Sequence, residues 1–452
     1  MKFAALLSAA AFVTSLPLPA QLQPGTVLWT HGVGSPIVSS PALAADGTVF
    51  LGTQYGLIAV TNNGSAASNK WTFSVGVGVN ASGSASSPSI AADGTVCFGG
   101  NDGKLYAVRP DGSQKWAFQA QGSGGSAAIA LDNSIYVVGY LGLNAISDAG
   151  AAKWTTIVGG SGNFSSPSIG KDGLIYVASW EAPAFYSFRR DGTTKWTISL
   201  PFRTADSSAI GGDGTIYFTA GNLYAFAPDS TNQWNTTTNE FGGGSPTIAK
   251  DGTIYVPEAT HTLDAVSLSG QVLWQSLQEQ GRSDFPATVP AVDAGGTIYY
   301  CVSNTIWALN PQGQVQWAVT APVYPPPGTH YAITSPTIGP DGTLYAALGG
   351  VLYAIASGTN GPANSPWPMY RQNCRHTGKV EKPSLQQPKK RSDANFQFQL
   401  YAQLGQTQLI QTSTDLAAWI SLTNVAVTNV PMDVVDLRAS NFPSRFYRTV
   451  SQ

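Results

Sequence analysis

The chain has 452 residues and contains few charged side chains, few cysteines and few histidines. Only 11% of its residues are Asp, Glu, Lys or Arg, whereas a typical soluble domain has about 25%. The formal net charge of −2 supplies no basic face, which argues against a nucleic-acid-binding protein. Hydrophobic residues make up 43% of the chain, so it can build a large core and is not disordered.

The three cysteines, Cys97, Cys301 and Cys374, are far apart and form no Cys-x-x-Cys pair. This spacing excludes zinc-ribbon, haem-attachment and thioredoxin-like sites. Because Cys97 and Cys301 lie within apolar strand patterns, we expect both to be buried free thiols.

The N-terminus has the pattern of a secretory signal over residues 1–20. Lys2 precedes an apolar run from Phe3 to Val13, and Ala20 offers a small residue at a cleavage point. The run is too short to span a bilayer, and no later stretch is long enough for a transmembrane helix. We therefore expect an exported protein in the periplasm, at the cell surface or outside the cell.

A phrase of about 40 residues repeats along the chain. It contains Ser-Pro, an Asp-Gly-Thr turn, an apolar run with Tyr, then Leu-Tyr-Ala and finally Trp. The turn aspartates are Asp46, Asp93, Asp132, Asp172, Asp213, Asp251, Asp293 and Asp341. A repeat of this length with four short strands and tight turns predicts an all-β, eight-bladed β-propeller. Asp-Gly is a strong hairpin signal, so we interpret the aspartates as turn residues rather than calcium ligands.

The tryptophans support the same number of blades. Eight of the 12 occupy the fourth-strand position: Trp29, Trp71, Trp116, Trp154, Trp196, Trp234, Trp274 and Trp317. The eighth unit ends at Ile355 without its own tryptophan, and Trp29 precedes the first full unit. We therefore predict that the strand containing Trp29 completes the last blade and closes the ring.

These units resemble the pyrroloquinoline-quinone (PQQ)-type propeller repeat, as in the stretch from Leu105 through Asp111-Gly112 to Trp116. The resemblance covers about residues 26–378. It includes Trp367-Pro368-Met369-Tyr370-Arg371 and His376-Thr377-Gly378, which are similar to a segment flanking such propellers. It implies the fold, but the repeat occurs both in quinoprotein dehydrogenases and in non-enzymatic scaffolds such as the outer-membrane assembly factor.

The chain is expected to divide after residue 378. The propeller is assigned to residues 21–378, and residues 379–394, with Pro383, Pro388 and the basic run from Lys389 to Arg391, are predicted to be a linker. Residues 395–452 alternate like short strands and resemble a small β-sandwich-like module on exported bacterial proteins of the verrucomicrobial type.

No catalytic motif stands out in the sequence. A quinoprotein dehydrogenase needs a calcium-bound quinone and, in many members, an adjacent cysteine pair, and the sequence has neither the pair nor an identifiable calcium-ligand set. No nucleophile elbow, zinc-protease motif or phosphate-binding loop is present. We predict no cofactor, with PQQ and calcium as the alternative.

The loops divide into two faces. The turns between strands a and b and between strands c and d are short and repetitive, so we expect that face to be uniform and inert. The d–a and b–c loops vary, and binding residues concentrate on such loops. The candidate binding residues on this face are Arg282, Asp284, Tyr324, His330, Tyr331, Glu258 and His261.

The sequence thus predicts an exported, non-catalytic propeller that acts as a monomeric binding scaffold for a protein or ligand. Its partner would be an unidentified protein or glycan. A quinone-dependent dehydrogenase and a cell-surface glycan-binding protein remain the alternatives, and exposed aromatic side chains on the variable face would favour the glycan.

Overall fold

The computed structural model describes most of the chain. The described residues are 22–75, 86–100, 102–120, 125–158, 165–204, 206–236, 244–258, 262–277, 288–302, 304–321, 334–348, 350–373, 375–379, 384–390, 395–401, 407–426, 432–437, 439 and 445–451. The predicted signal segment and Cys374 lie outside these ranges.

Eight four-stranded antiparallel sheets form the blades of the predicted propeller. Blades 1 to 4 contain β2 (Ala42–Leu43), β3 (Val49–Thr53), β4 (Gly56–Asn62) and β5 (Ala67–Ser74); β6 (Ser89–Ile90), β7 (Val96–Gly99), β8 (Lys104–Val108) and β9 (Gln114–Gln119); β10 (Ala128–Ile129), β11 (Ile135–Gly139), β12 (Gly142–Ile146) and β13 (Ala152–Ile157); and β14 (Ser168–Ile169), β15 (Ile175–Ser179), β16 (Ala184–Phe188) and β17 (Thr194–Ser199).

Blades 5 to 8 follow the same order, from inner strand a to outer strand d. They contain β18 (Ala209–Ile210), β19 (Ile216–Thr219), β20 (Leu223–Phe226) and β21 (Asn232–Thr236); β22 (Thr247–Ile248), β23 (Ile254–Pro257), β24 (Thr262–Val266) and β25 (Val272–Leu277); β26 (Ala291–Val292), β27 (Ile298–Val302), β28 (Thr305–Leu309) and β29 (Val315–Thr320); and β30 (Thr337–Ile338), β31 (Thr343–Leu348), β32 (Val351–Ala356) and β1 (Val27–Gly32).

The repeated tryptophan joins each blade to its neighbour. In every blade it lies opposite a small residue of strand c, as Trp154 lies opposite Ala145, and a register shift follows this pair. In six blades the indole N–H donates to a carbonyl of the next c–d turn, as from Trp71 to Pro110 at 2.9 Å. An indole buries about 200 Å², so these contacts fix the blade-to-blade packing.

The N-terminal strand closes the ring, as predicted. β1 pairs antiparallel with β32 and places Trp29 opposite Ala354. Trp29 is buried and contacts Tyr345 with ring centroids 6.0 Å apart. Gly25 packs against Trp317, so the N-terminal segment replaces the c–d turn that blade 8 lacks.

The turn aspartates cap their own turns. In seven blades the carboxylate accepts the backbone N–H two residues later, as Asp46 does from Thr48 at 3.0 Å. The prediction is wrong in position for Asp293, because Gly295 occupies the place of the turn aspartate in blade 7. Asp293 lies two residues earlier and accepts the N–H groups of Gly295 and Thr297, each at 2.9 Å.

Hydroxyl groups link the inner strands into a belt. The backbone N–H of Ser40 donates to Ser87 Oγ at 3.1 Å, and that of Ser335 donates to Ser40 Oγ at 3.0 Å. The same contact is found at six of the eight blade junctions within the described residues. These buried polar groups are therefore satisfied by the neighbouring blade.

A segment that we call the plug, residues 361–373 and 375–379, binds the inner strands next to the a–b turns. Its carbonyl groups accept N–H donors from the inner strands of five blades, at Ile90, Ile129, Ile169, Ile248 and Val292, over 2.8–3.0 Å. An inner strand has a free edge that would otherwise leave these donors unpaired. The plug thus ties five blades together next to their a–b turns.

The plug also carries two buried bases. The Arg371 guanidinium donates to the carbonyls of Pro167 and Ala127 at 2.5 and 2.9 Å, and burial lowers its pKa to about 10. His376 Nδ1 lies 3.1 Å from the Pro88 carbonyl, and burial lowers the pKa of His376 to about 3. His376 is therefore neutral at neutral pH and serves as a structural residue.

The C-terminal module consists of two packed three-stranded sheets. One contains β33 (Ser384–Lys390), β34 (Phe396–Tyr401) and β37 (Met432–Asp436), and the other contains β36 (Ile420–Ala426), β35 (Thr407–Ser413) and β38 (Phe446–Ser451). Both sheets contribute to one core, with Phe398 and Val434 from the first and Ile410 and Val425 from the second. The predicted small β-sandwich-like module is thus confirmed.

The segment 379–394 contains a strand, so the prediction of a linker throughout it is wrong. β33 pairs with β34 from Ser384 opposite Tyr401, and Leu385 packs against the module core. Pro388 is tolerated because β33 is an edge strand with a register shift between Gln386 and Lys389. The composition of this segment does not indicate a strand, because Leu385 is the one side chain described there that packs against the core, and the pairs with β34 are formed by the backbone.

Cys97 and Cys301 are buried and free, as the sequence predicts. Burial raises the pKa of Cys97 to about 12, so this thiol stays protonated. Within the described ranges no helix is long and apolar enough to cross a membrane.

Candidate functional site

Six of the seven predicted binding residues lie outside the described residues. Arg282, Asp284, Tyr324, His330, Tyr331 and His261 therefore stay a prediction. Glu258 lies within the described residues, so its position and burial are known.

Glu258 is buried rather than exposed on the loop face, and its role in binding stays a prediction. It directly follows Pro257 at the end of β23, in the charge environment of Tyr300 on the next blade. Burial raises the pKa of Tyr300, and the charges of Glu258 and Asp264 raise it further. Asp264 is itself buried and accepts a hydrogen bond from Gln275 Nε2 at 3.0 Å. Both carboxyl groups are therefore buried, and their charges act on Tyr300 of the next blade.

Large apolar side chains are instead exposed where strands reach the face of the d–a and b–c loops. Trp180, on the b–c loop of blade 4, is 38% exposed, and Tyr140, on that of blade 3, is 50% exposed. The set, which we call the loop-face patch, consists of Tyr55, Tyr140, Leu141, Ile157, Trp180 and Phe202. Five of its six members come from blades 3 and 4 or from the loop that follows them.

Hydrogen bonds hold these loops in place. The Leu141 carbonyl accepts the N–H of Val158 at 3.2 Å, which fixes the b–c loop of blade 3 to its own d–a loop. The Phe202 ring packs against Gly221, where an added Cβ would lie 2.3 Å from the ring. Gly221 has φ +73°, so a glycine is needed there both for the backbone and for the close approach. The exposed side chains are thus presented by an ordered backbone.

Asp206 adds one ionisable group to the inner end of this face. In five other blades the equivalent position holds Ser or Thr, whose hydroxyl accepts a strand-b N–H. The Asp206 carboxylate instead accepts the hydroxyl groups of Thr219 at 3.0 Å and Thr204 at 3.4 Å. Burial raises the pKa of Asp206 to about 7, although these hydrogen bonds lower it. Asp206 therefore changes charge near neutral pH.

None of the seven candidate residues named from the sequence belongs to the loop-face patch, so sequence reasoning missed Tyr55, Tyr140 and Phe202. A usable signal is present at Tyr55 and Tyr140. Tyr140 follows strand b directly and Tyr55 lies two residues after strand b, where the repeat itself requires no aromatic residue. Within the described residues, no group of three or more His, Cys, Asp or Glu side chains is placed to hold a metal ion.

Comparison with known proteins identifies the family. The family model described as outer membrane protein assembly factor BamB matches residues 20–198 and 186–361. The chain belongs to this family. The match ends at residue 361, where the plug begins.

Solved structures show the same fold at low sequence identity. BamB from Moraxella catarrhalis is 18% identical and superimposes with a TM-score of 0.59 over 73% of this chain and 97% of that chain. The C-terminal WD40 domain of Sif2 is 9% identical, with a TM-score of 0.56 over 74% of this chain and 99% of that chain. The Dos1 propeller is 11% identical, with a TM-score of 0.55 over 72% and 93%. No curated protein sequence matches the chain.

Proposed function

We infer that this protein is an exported, non-catalytic propeller scaffold that binds a protein partner through the face formed by its d–a and b–c loops. The observation that carries this inference is the loop-face patch, because apolar side chains are exposed there on an ordered backbone. Aromatic side chains are typical anchors of protein interfaces. The family supports the same class of function, since its description names an assembly factor.

Export rests on the N-terminal sequence pattern of residues 1–20, and a location in the periplasm, at the cell surface or outside the cell follows from it. The belt of inter-blade hydrogen bonds and the plug support a rigid scaffold, which we propose to act as a monomer. A rigid scaffold loses little conformational entropy when it binds, which favours recognition by surface loops.

A glycan is the second candidate ligand. The rings of Tyr55, Tyr140 and Trp180 are exposed on the variable face, and such rings can stack on sugar rings. The aliphatic members Leu141 and Ile157 favour a protein, because they offer no hydrogen bonds to sugar hydroxyl groups. A quinone-dependent dehydrogenase is less favoured, since the sequence has no adjacent cysteine pair.

The experiment compares the mature protein with the double variant Tyr140→Ala/Trp180→Ala in quantitative capture from periplasm and culture medium, with a glycan array in parallel. We expect one or a few proteins to be captured by the parent at least 10-fold more than by the variant. Arg109→Ala, on the opposite face, is the matched control and should retain capture. Equal capture by parent and double variant would contradict the proposal, and binding to glycans alone would favour the second candidate.

A further inference from the structure

The face formed by the a–b and c–d turns is not uniform, contrary to the expectation from sequence. In blades 1 to 4 the residue before the repeated tryptophan is a lysine, and three of these lysines pair with the turn aspartate of their own blade: Lys70 with Asp46 at 3.3 Å, Lys115 with Asp93 at 3.1 Å and Lys153 with Asp132 at 3.7 Å. In blades 5 to 8 the same position holds Gln233, Leu273, Gln316 and Leu28. Within the described residues, blades 4 to 8 therefore lack the lysine–aspartate pair.

A second position of strand d shows a similar division, which begins one blade later. It lies just before the register shift and is occupied in blades 1 to 5 by Asn69, Gln114, Ala152, Thr194 and Asn232. In blades 6 to 8 it is Val272, Val315 and Val27, and all three are exposed. Together with Leu268 and Leu273, which are 53% and 52% exposed, they form what we call the turn-side patch.

A cavity adjoins this patch between the a–b turns of blades 6 and 7. Its volume is about 380 Å³, and its walls include Asp251, Tyr255, Gly295 and Pro311. Gly295 stands where seven blades have the turn aspartate, so this wall of the cavity carries no aspartate side chain; the Thr359 methyl group lies beside it. Leu268 connects the cavity to the patch, since it packs on Gly252 directly beside Asp251.

The charges around the patch are mainly negative. Asp229, Asp251 and Asp341 are exposed on this half of the face, and none of them forms an ion pair with another described residue. Lys250 lines the same cavity as Asp251, and the charge of Lys195 acts on Asp229. The combination of exposed apolar groups with unpaired carboxylates complements a segment that alternates apolar and basic residues.

We propose that the turn-side patch is a second docking surface, which binds a basic amphipathic segment of a partner protein. An apolar side chain of the partner enters the cavity between blades 6 and 7, and neighbouring apolar residues cover Leu268 and Leu273. Lysine or arginine side chains of the segment pair with Asp251 and Asp341. This surface lies on the opposite face from the loop-face patch, so the propeller can hold two partners at once.

The test uses the mature full-length protein and labelled synthetic peptides as probes. One peptide alternates leucine with lysine, a second alternates leucine with glutamate, and a third alternates serine with lysine. We expect the leucine–lysine peptide to bind and the other two to bind at least 10-fold more weakly. Leu268→Lys/Leu273→Lys should weaken binding at least 10-fold, and Asp251→Asn/Asp341→Asn should weaken it and reduce its dependence on salt.

Leu273→Lys introduces the residue that blades 1 to 4 carry at this position, so the variant should fold. The matched control is Lys153→Gln/Lys195→Gln in the other half of the face, which should bind within 2-fold of the parent. Tyr140→Ala/Trp180→Ala should also bind normally, which separates this proposal from the proposed loop-face function. Equal binding by the Leu268/Leu273 variant, equal binding of the glutamate peptide, or self-association lost in that variant would overturn the proposal.

Discussion

Replacing Trp29 with alanine tests whether the N-terminal strand closes the ring. Trp29 is 7% exposed, contacts Tyr345, and donates from its indole to Asn62 Oδ1 at 3.1 Å. An indole of about 200 Å² at about 25 cal/mol per Å² corresponds to about 5 kcal/mol of burial. The hydrogen bond contributes about 1 kcal/mol, while the remaining Cβ and partial relaxation reduce the loss. We expect Trp29→Ala to lower the free energy of unfolding by about 3–5 kcal/mol.

Urea unfolding of the mature protein, followed by fluorescence and circular dichroism, measures this loss. Thr30→Ala is the matched control, because Thr30 is exposed on the same strand and its loss should cost less than about 0.5 kcal/mol. Deleting residues 21–34 should lower the melting temperature further, since it exposes the edge of β32. A loss below about 1 kcal/mol for Trp29→Ala, or an unchanged melting temperature after the deletion, would refute closure by this strand.

Three further predictions concern a turn, a carboxyl group and the cofactor. Ser230 has φ +77° where five other c–d turns have glycine, so Ser230→Gly should stabilise the protein by about 0.5–1 kcal/mol in urea unfolding. Asn133→Gly should change stability by less than about 0.5 kcal/mol, because asparagine tolerates this conformation; equal effects would contradict the argument. The Asp206 pKa of about 7 lies above its unfolded value of about 3.9, so the folded state holds the extra proton and stability decreases as pH rises from about 4 to about 7. Asp206→Asn should remove this decrease in melting temperature, and an unchanged pH profile would count against it. Calorimetric titration with PQQ and calcium should give no stoichiometric micromolar binding, and a saturable isotherm would favour the dehydrogenase.

The propeller could be predicted because its repeat places the same residue at the same structural position. Asp-Gly specifies the a–b turn and Trp marks strand d, so the number of blades and the role of Trp29 follow from spacing alone. The same reasoning misplaced Asp293, because an aspartate two residues earlier can accept the N–H of Thr297 as well. Asp293 lies 42 residues after Asp251 and 48 residues before Asp341, and these unequal spacings reflect its position two residues before the turn position.

The plug and the binding faces could not be predicted in the same way. The plug binds mainly through backbone carbonyls, as at Trp367 and Arg375, and such contacts leave no periodic pattern in the sequence. The turn-side patch requires comparing Leu273 with Lys153 across blades, which becomes meaningful only once the strand register is known. The burial of Glu258 could not be predicted either, because a charged residue that follows strand b is expected in an exposed loop.

Site-specific photo-crosslinking in the cells that produce the protein tests the central claim most directly. A photoreactive amino acid is placed at Trp180 or Tyr140 on the loop face, and at Arg109 on the opposite face of blade 2 as the control. We expect a discrete protein adduct from positions 180 and 140, identified by mass spectrometry, and no adduct of that mass from position 109. Adducts of equal yield from all three positions, or none from the loop face, would contradict a scaffold that binds its protein partner there.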